Sequence, residues 1–216
     1  MKTNDKKVIS FDLDGTLVDP AYAMWVWERG IPRLYAQKNK LGFARAQAHV
    51  TAQYRLVGDT SLEWYDISYW FTFFGLPESW SDLMNAHRKR ICLFPEVKEV
   101  IEYLVQRYEL IVVSNAAQEF IDIEVKETGT ARYFGRIFSA TSDFGQVKRT
   151  PAFYQMLCEF MDISPSQMIH VGDHYEFDYR VPRRAGVEAY YLDRGGEGPK
   201  TIHALANLKE FVNRLS

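Results

Sequence analysis

Cysteine is scarce in this chain: Cys92 and Cys158 are the only two in 216 residues. Two thiols so far apart build neither a disulfide framework nor a zinc-ligand spacing. Neither sign of charge dominates, and the formal net charge is −2. That gives no general electrostatic pull toward nucleic acid or an acidic membrane surface. No stretch approaches the roughly 18 apolar residues of a membrane span. The polar opening MKTNDKK leads into an apolar run too short for a signal peptide. Internal repeats and low-complexity tracts are missing as well. The expectation is a cytoplasmic protein that engages neither nucleic acid nor membrane. What is present is apolar residue, 47% of the chain, enough for a real core in one domain or in a core with a smaller insert.

Five short apolar segments, rich in β-branched and aromatic residues, read as strands covered on both faces: 7–12, 109–113, 136–139, 167–171 and 187–192. Helical patterns lie between most of them, at 95–107, 116–128, 150–161 and 205–215. Thr150 reads as an N-cap with Pro151 at the first helical position. Alternating strands and helices predict an α/β fold, a Rossmann-like parallel three-layer sandwich. The interval between the first two strands is far too long for a crossover loop. It reads as helices at 20–39, 43–57, 61–74 and 79–91, broken near Gly30, Gly42, Gly58 and Gly75. All five tryptophans fall in the first 80 residues and belong to this insert. The expected division is a core of 1–17 and 95–216 with an all-helical subdomain at 18–94.

In parallel sheets of this kind, sites gather at the carboxyl ends of strands. After the first strand come Asp12, Asp14 and Thr16; after the second, Ser114 and Asn115. Lys148 lies between the third and fourth, and Gly172, Asp173 and Asp178 follow the fourth. The topology would bring them to one rim. Two carboxylates two residues apart repel, by about 4 kcal/mol at 4 Å and an effective dielectric near 20. A hard divalent cation, Mg²⁺ where phosphate is the substrate, offsets that. A carboxylate is also a nucleophile at neutral pH without help from a base. Asp12 would attack phosphorus. Asp14 would protonate the leaving oxygen and then activate water. Ser114 and Lys148 would hold the phosphoryl oxygens.

DLDGT at 12–16, SN at 114–115, the lysine at 148 and GDHYEFD at 172–178 resemble, in order, the four motifs of the haloacid dehalogenase superfamily. The resemblance spans the chain. It implies a Mg²⁺-dependent phosphatase acting on a small phosphorylated metabolite through a phospho-aspartate on Asp12, with Asp14 as general acid/base. It implies substrate contacts from Thr16, Ser114, Asn115 and Lys148, metal contacts from Asp12, Asp14, Asp173 and Asp178, and a helical cap at 18–94. A 2-haloacid dehalogenase and a phosphomutase are the alternatives in the same superfamily; Asp14 argues against the first. Oligomeric state stays open between monomer and homodimer. Three departures bear on the fourth motif: His174 stands where a small residue is common, Phe177 precedes Asp178, and Val181-Pro182 replaces Gly-Ala.

Other features read more plainly. Asp19 is a turn or cap residue, and His170 a core histidine. The aromatics of 62–75 are cap core, and some could line the cleft, which would favour an apolar or aromatic leaving group. The basic run 87–90 is a solvated helix end, and RGGEGPK at 194–200 a surface turn.

Overall fold

The structure, a computed structural model, describes residues 7–215. Residues 1–6 and 216, the outer ends of the two expected core segments, lie outside the described residues. In chain order the elements are β1 (Val8–Phe11), α1 (Ala21–Trp25), α2 (Ile31–Asn39), α3 (Phe43–Val57), α4 (Ile67–Phe74), α5 (Trp80–His87) and α6 (Val97–Leu104). Then come β2 (Glu109–Ser114), α7 (Gln118–Thr128), β3 (Arg136–Ser139), α8 (Ala140–Phe144), α9 (Pro151–Phe160), β4 (Met168–Gly172), α10 (Val181–Arg184), β5 (Glu188–Tyr191) and α11 (Leu208–Arg214). Among the described residues no helix is long and apolar enough to cross a membrane.

The five strands form one parallel sheet in the order β3-β2-β1-β4-β5. Successive side chains on a strand point to opposite faces, and both faces are covered. Ile9, Phe11, Leu110, Val112, Ile169 and Val171 join one buried cluster with α6 and α11. Val8, Ile111, Val113 and Met168 join another with α9 and α10. This is why the strand sequences are apolar throughout rather than alternating. Val97, Val100, Ile101 and Leu104 of α6 are all buried, as their spacing requires. Thr150 caps α9, its hydroxyl accepting the Phe153 amide at 3.3 Å. The chain leaves β1 toward β2 and β3 and later returns to the other side of β1 for β4. The carboxyl end of β1 is therefore a topological switch point, where clefts open in such sheets.

Two connections join the sheet to the helical insert, and they pair with each other. Val18 bridges Leu93, the Asp19 amide donates to the Cys92 carbonyl at 2.9 Å, and the Phe94 amide to Leu17 at 3.1 Å. The Asp19 carboxylate accepts the Ala21 amide in a turn just ahead of α1. Residues 21–90 are helices joined by short turns, packed around Tyr22, Val26, Ile31, Val50, Trp70 and Phe74 in a cluster that Phe120, from beyond the insert, also joins. Gly42, Gly58 and Gly75 stand at helix ends, as expected. Gly30 does not: the chain stays helical from α1 to α2 through a π turn at Val26–Gly30. A Cβ on Gly30 would lie 2.9 Å from Leu83, so this glycine serves close packing of α5 rather than a break. The expected helix at 61–74 is split into a short turn at Leu62–Trp64 and α4, because Asp66 caps the Tyr69 amide and restarts the helix. The 194–200 turn is more than surface. Arg194 donates to the Gly15 and Thr16 carbonyls at 3.2 and 2.8 Å, pairs with Glu96 at 2.6 Å and lies over the Phe94 ring. It ties the loop after β1 to the base of the insert.

Candidate active site

The loop after β1 turns tightly: the Gly15 amide donates to the Val18 carbonyl at 2.8 Å and the Leu17 amide to Leu13 at 2.9 Å. Gly15 has φ +78°, and a Cβ there would drive into the Asp173 carboxylate. Only glycine lets this loop approach the end of β4 so closely. Gly172 plays the same part for Asp178, whose carboxyl occupies the space a side chain at 172 would take.

Between that rim and the helical insert lies a cavity of about 610 Å³. Asp12, Asp14, Ser114, Asn115, Lys148, Asp173 and Asp178 all line it. Four separate segments thus deliver seven of the eight expected residues to one place. Thr16 is the exception: it is fully buried and outside the lining, and its hydroxyl meets no partner among the described residues.

Lys148 is the electrostatic hub. Its ammonium contacts the Asp12 carboxylate, pairs with Asp178 at 2.7 Å and donates to the Val113 carbonyl at 3.0 Å. Its amide donates to the Asn115 side chain at 2.9 Å. Burial works against its charge, but Asp12 and Asp178 outweigh that and hold its pKa above the usual lysine value. Burial also penalises the Asp178 carboxylate, yet Lys148 and His170 pull it well below the usual range. His170 is a core residue, as read, but it also has a partner in the site. Burial lowers its pKa, with Asp178 opposing; its Nε2 lies 3.1 Å from the Asp178 carboxylate and its Nδ1 2.8 Å from the Ser10 hydroxyl.

The remaining carboxyls are pushed the other way. Burial raises Asp12 to about 7, with Lys148 opposing. Surrounding protein and the nearby Asp12 and Asp178 charges raise Asp173, which faces the cavity, to about 8. Burial raises Asp14 to about 6, and a hydrogen bond from Glu124 partly offsets it. Glu124 was not foreseen. It is fully buried on α7, among the described residues no group other than the Asp14 carboxyl is there to satisfy its oxygens, and burial with Asp14 beside it holds its pKa well above the usual value. One proton held between the two carboxyls satisfies both. The signal was there: Glu124 shares the helix face of Phe120, Ile121 and Val125, an acid at a core position.

Asp12, Asp173 and Asp178 present carboxylate oxygens within 4.8 Å of one another. Hard oxygen donors so close, with Asp173 raised by its neighbours' charge, suit a divalent cation such as Mg²⁺. The Asp14 side chain is not in that group; it is turned to Glu124. Asp178 already meets Lys148 and His170 through Oδ1 and accepts the His174 amide through Oδ2 at 2.9 Å. The departures of the fourth motif fit one another. His174 Nδ1 accepts the Phe177 amide at 3.1 Å, and the two rings stack at 4.0 Å. They shape a π turn at Tyr175–Arg180, and Pro182, with no N–H for the Asp178 carbonyl, removes one α-helical bond. The insert reaches this rim through Tyr65, whose hydroxyl accepts from Asn115 at 3.4 Å, and through Asp59, 3.8 Å from His174.

Comparison with known proteins agrees with this geometry. The family model of the haloacid dehalogenase-like hydrolases matches residues 6–186. The GMP/IMP nucleotidase YrfG of Escherichia coli is 24% identical over 170 residues, 78% of this chain and 75% of its own. A phosphoglycolate phosphatase of Vibrio parahaemolyticus is 25% identical over 94% of this chain and 91% of its own. The crystal structure of a HAD phosphatase from Thermococcus onnurineus superposes with a TM-score of 0.86 at 20% identity, covering 97% of this chain and 98% of that one. With its ordered motifs converging on a single cavity at the switch point of the sheet, the chain belongs to the haloacid dehalogenase-like hydrolases.

Proposed function

We propose that the protein is a phosphatase that hydrolyses a small-molecule phosphate monoester through a covalent phosphate on Asp12. The observation that carries this reading is that Asp12, Asp14, Ser114 and Lys148 line one cavity, with Asp14 facing a second carboxyl able to share its proton. An Asp12 oxygen attacks phosphorus while the bond to the leaving oxygen breaks, and the Asp14 proton passes to that oxygen. Asp14, now a carboxylate, takes a proton from water. That water attacks the same phosphorus, the bond to Asp12 breaks, and inorganic phosphate leaves. Lys148 holds the Asp12 oxygen in place and stabilises charge that develops on the phosphoryl group; Ser114 and Asn115 hold it from the β2 side.

Asp12, Asp173 and the Asp14 carbonyl would hold Mg²⁺, with Asp178 supporting from behind. Bound there, the cation would neutralise phosphoryl charge and keep Asp12 ionised. The insert, closing over the rim through Asp59 and Tyr65, would act as the cap that excludes water. The relatives named as a nucleotidase and a phosphoglycolate phosphatase support phosphate-ester chemistry. Asp14 on the cavity wall speaks against dehalogenation, in which no leaving oxygen needs a proton. The test is turnover of p-nitrophenyl phosphate with Mg²⁺. Activity that is lost in Asp12→Asn is expected; an equally active Asp12→Asn protein refutes the mechanism.

A further inference from the structure

The cavity is much larger than its reactive end. At about 610 Å³ it falls among pockets that take whole drug-sized ligands, roughly 300–1,000 Å³. The reactive residues line one part of it. Much of the rest is aromatic: Trp27, Tyr54 and Trp64 from the insert and Phe120 from α7. These rings are not simply core. Trp70, Phe71 and Phe74 are buried in the insert, as the plain reading of 62–75 has it, whereas Trp27, Tyr54 and Trp64 are only half-buried. They are also fixed in place. Trp27 stacks on Phe120 at 5.4 Å and 18° and meets Tyr54 edge-on at 6.0 Å. Tyr54 meets Trp64 edge-on at 6.2 Å, and its hydroxyl donates to the Trp27 carbonyl at 3.3 Å. Rings held this way offer flat faces at little entropic cost. Two charged side chains of opposite sign, Glu28 and Arg55, also line the cavity. One accepts hydrogen bonds and the other donates them.

A two- or three-carbon leaving group would leave that aromatic wall in water. We infer that the ester hydrolysed here carries a flat heteroaromatic leaving group, seated against Trp27, Tyr54, Trp64 and Phe120 with its polar edge toward Glu28 and Arg55. This rests on the phosphatase reading above. A nucleobase and the ring of pyridoxal 5′-phosphate share the required chemistry, and the experiment separates them.

Values of kcat/KM are measured with Mg²⁺ for guanosine 5′-monophosphate, pyridoxal 5′-phosphate and phosphoglycolate. At least one ring ester is expected to exceed phosphoglycolate tenfold or more, and which one leads identifies the source. Trp27→Leu is expected to shrink that preference by roughly tenfold, through KM rather than kcat, the size of a lost stacking contact. Arg55→Met, on an exposed helix position, is expected to shrink it in the same direction and guards against a Trp27 variant that folds poorly. Phosphoglycolate as the best substrate, or both variants changing all three esters by one common factor, overturns the inference. Calorimetric binding of the same esters to Asp12→Asn decides the pocket independently of turnover. Tighter binding of a ring ester supports the inference even if no ester is hydrolysed, in which case only the phosphatase reading falls. Equal or weaker binding than phosphoglycolate overturns it.

Discussion

Replacing Lys148 by methionine removes the cation that pairs with both Asp12 and Asp178 while keeping most of the side-chain volume. At the 2.7 Å separation from Asp178 and an effective dielectric near 20, the lost attraction is about 6 kcal/mol per pair before any relaxation. Desolvation of the ammonium, which a thioether side chain does not suffer, returns part of it. Truncating one partner of a buried pair costs about 3–5 kcal/mol in practice. For a chain of this length each kcal/mol moves Tm by about 2–4 °C, so the expected drop is about 6–20 °C at pH 8 without metal. The sign with pH follows from Asp178. Its carboxyl lies below the ordinary value in the folded protein, so its stabilisation is present above the unfolded value near 3.8 and is lost as pH falls through the folded one. Without Lys148, burial pushes that carboxyl up against His170 alone and Asp12 loses the cation that opposes its own rise, so stability is expected to fall as pH rises. The gap between wild type and Lys148→Met should widen from pH 5 to pH 8. Thermal melts followed by circular dichroism in EDTA at both values measure it. A gap that is constant with pH, or a variant that melts higher at pH 8, would refute the argument that Lys148 compensates buried carboxylates.

Addition of Mg²⁺ at 100 times its Kd should stabilise the protein by about 2.7 kcal/mol, or about 5–11 °C in Tm. Because burial and the neighbouring carboxylates raise Asp173 to about 8 without metal, the cation must displace its proton, so at one fixed Mg²⁺ concentration the increment should be larger at pH 8 than at pH 6. Asp173→Asn should remove most of it in the same melts; an undiminished increment would place the cation elsewhere. Glu124 is held well above its ordinary value of 4.5, so it costs stability increasingly as pH rises past that point. Glu124→Gln removes the ionisable group and should raise Tm in EDTA more at pH 8 than at pH 5. Equal increments at the two values would mean that Glu124 does not carry the buried proton.

The strands were legible because burial on both faces forces uninterrupted apolar runs, a pattern that survives without knowledge of their partners. Thr150-Pro151 was legible for a local reason too, since a cap acts within four residues. Gly30 misled because helix interruption and close approach of a second helix call for the same residue, and only the position of Leu83 separates them. Asp66 restarts a helix inside what periodicity alone reads as one segment. Thr16 shares the DLDGT segment with the aspartates, yet its side chain turns inward, a matter of loop geometry rather than residue type.

Composition and pattern alone carried the α/β class and the run of helices between β1 and β2, and they marked out the carboxylates that the strand ends carry, because strand burial, capping and carboxylate chemistry are local properties of the chain. Only the folded structure brings Lys148 to Asp12 across 136 residues, sets Glu124 against Asp14, and leaves Trp27 and Trp64 half-open while burying Trp70. Those arrangements depend on how the sheet orders its strands and how the insert packs on α7, and distance through space is what turns separate side chains into charge pairs and a pocket.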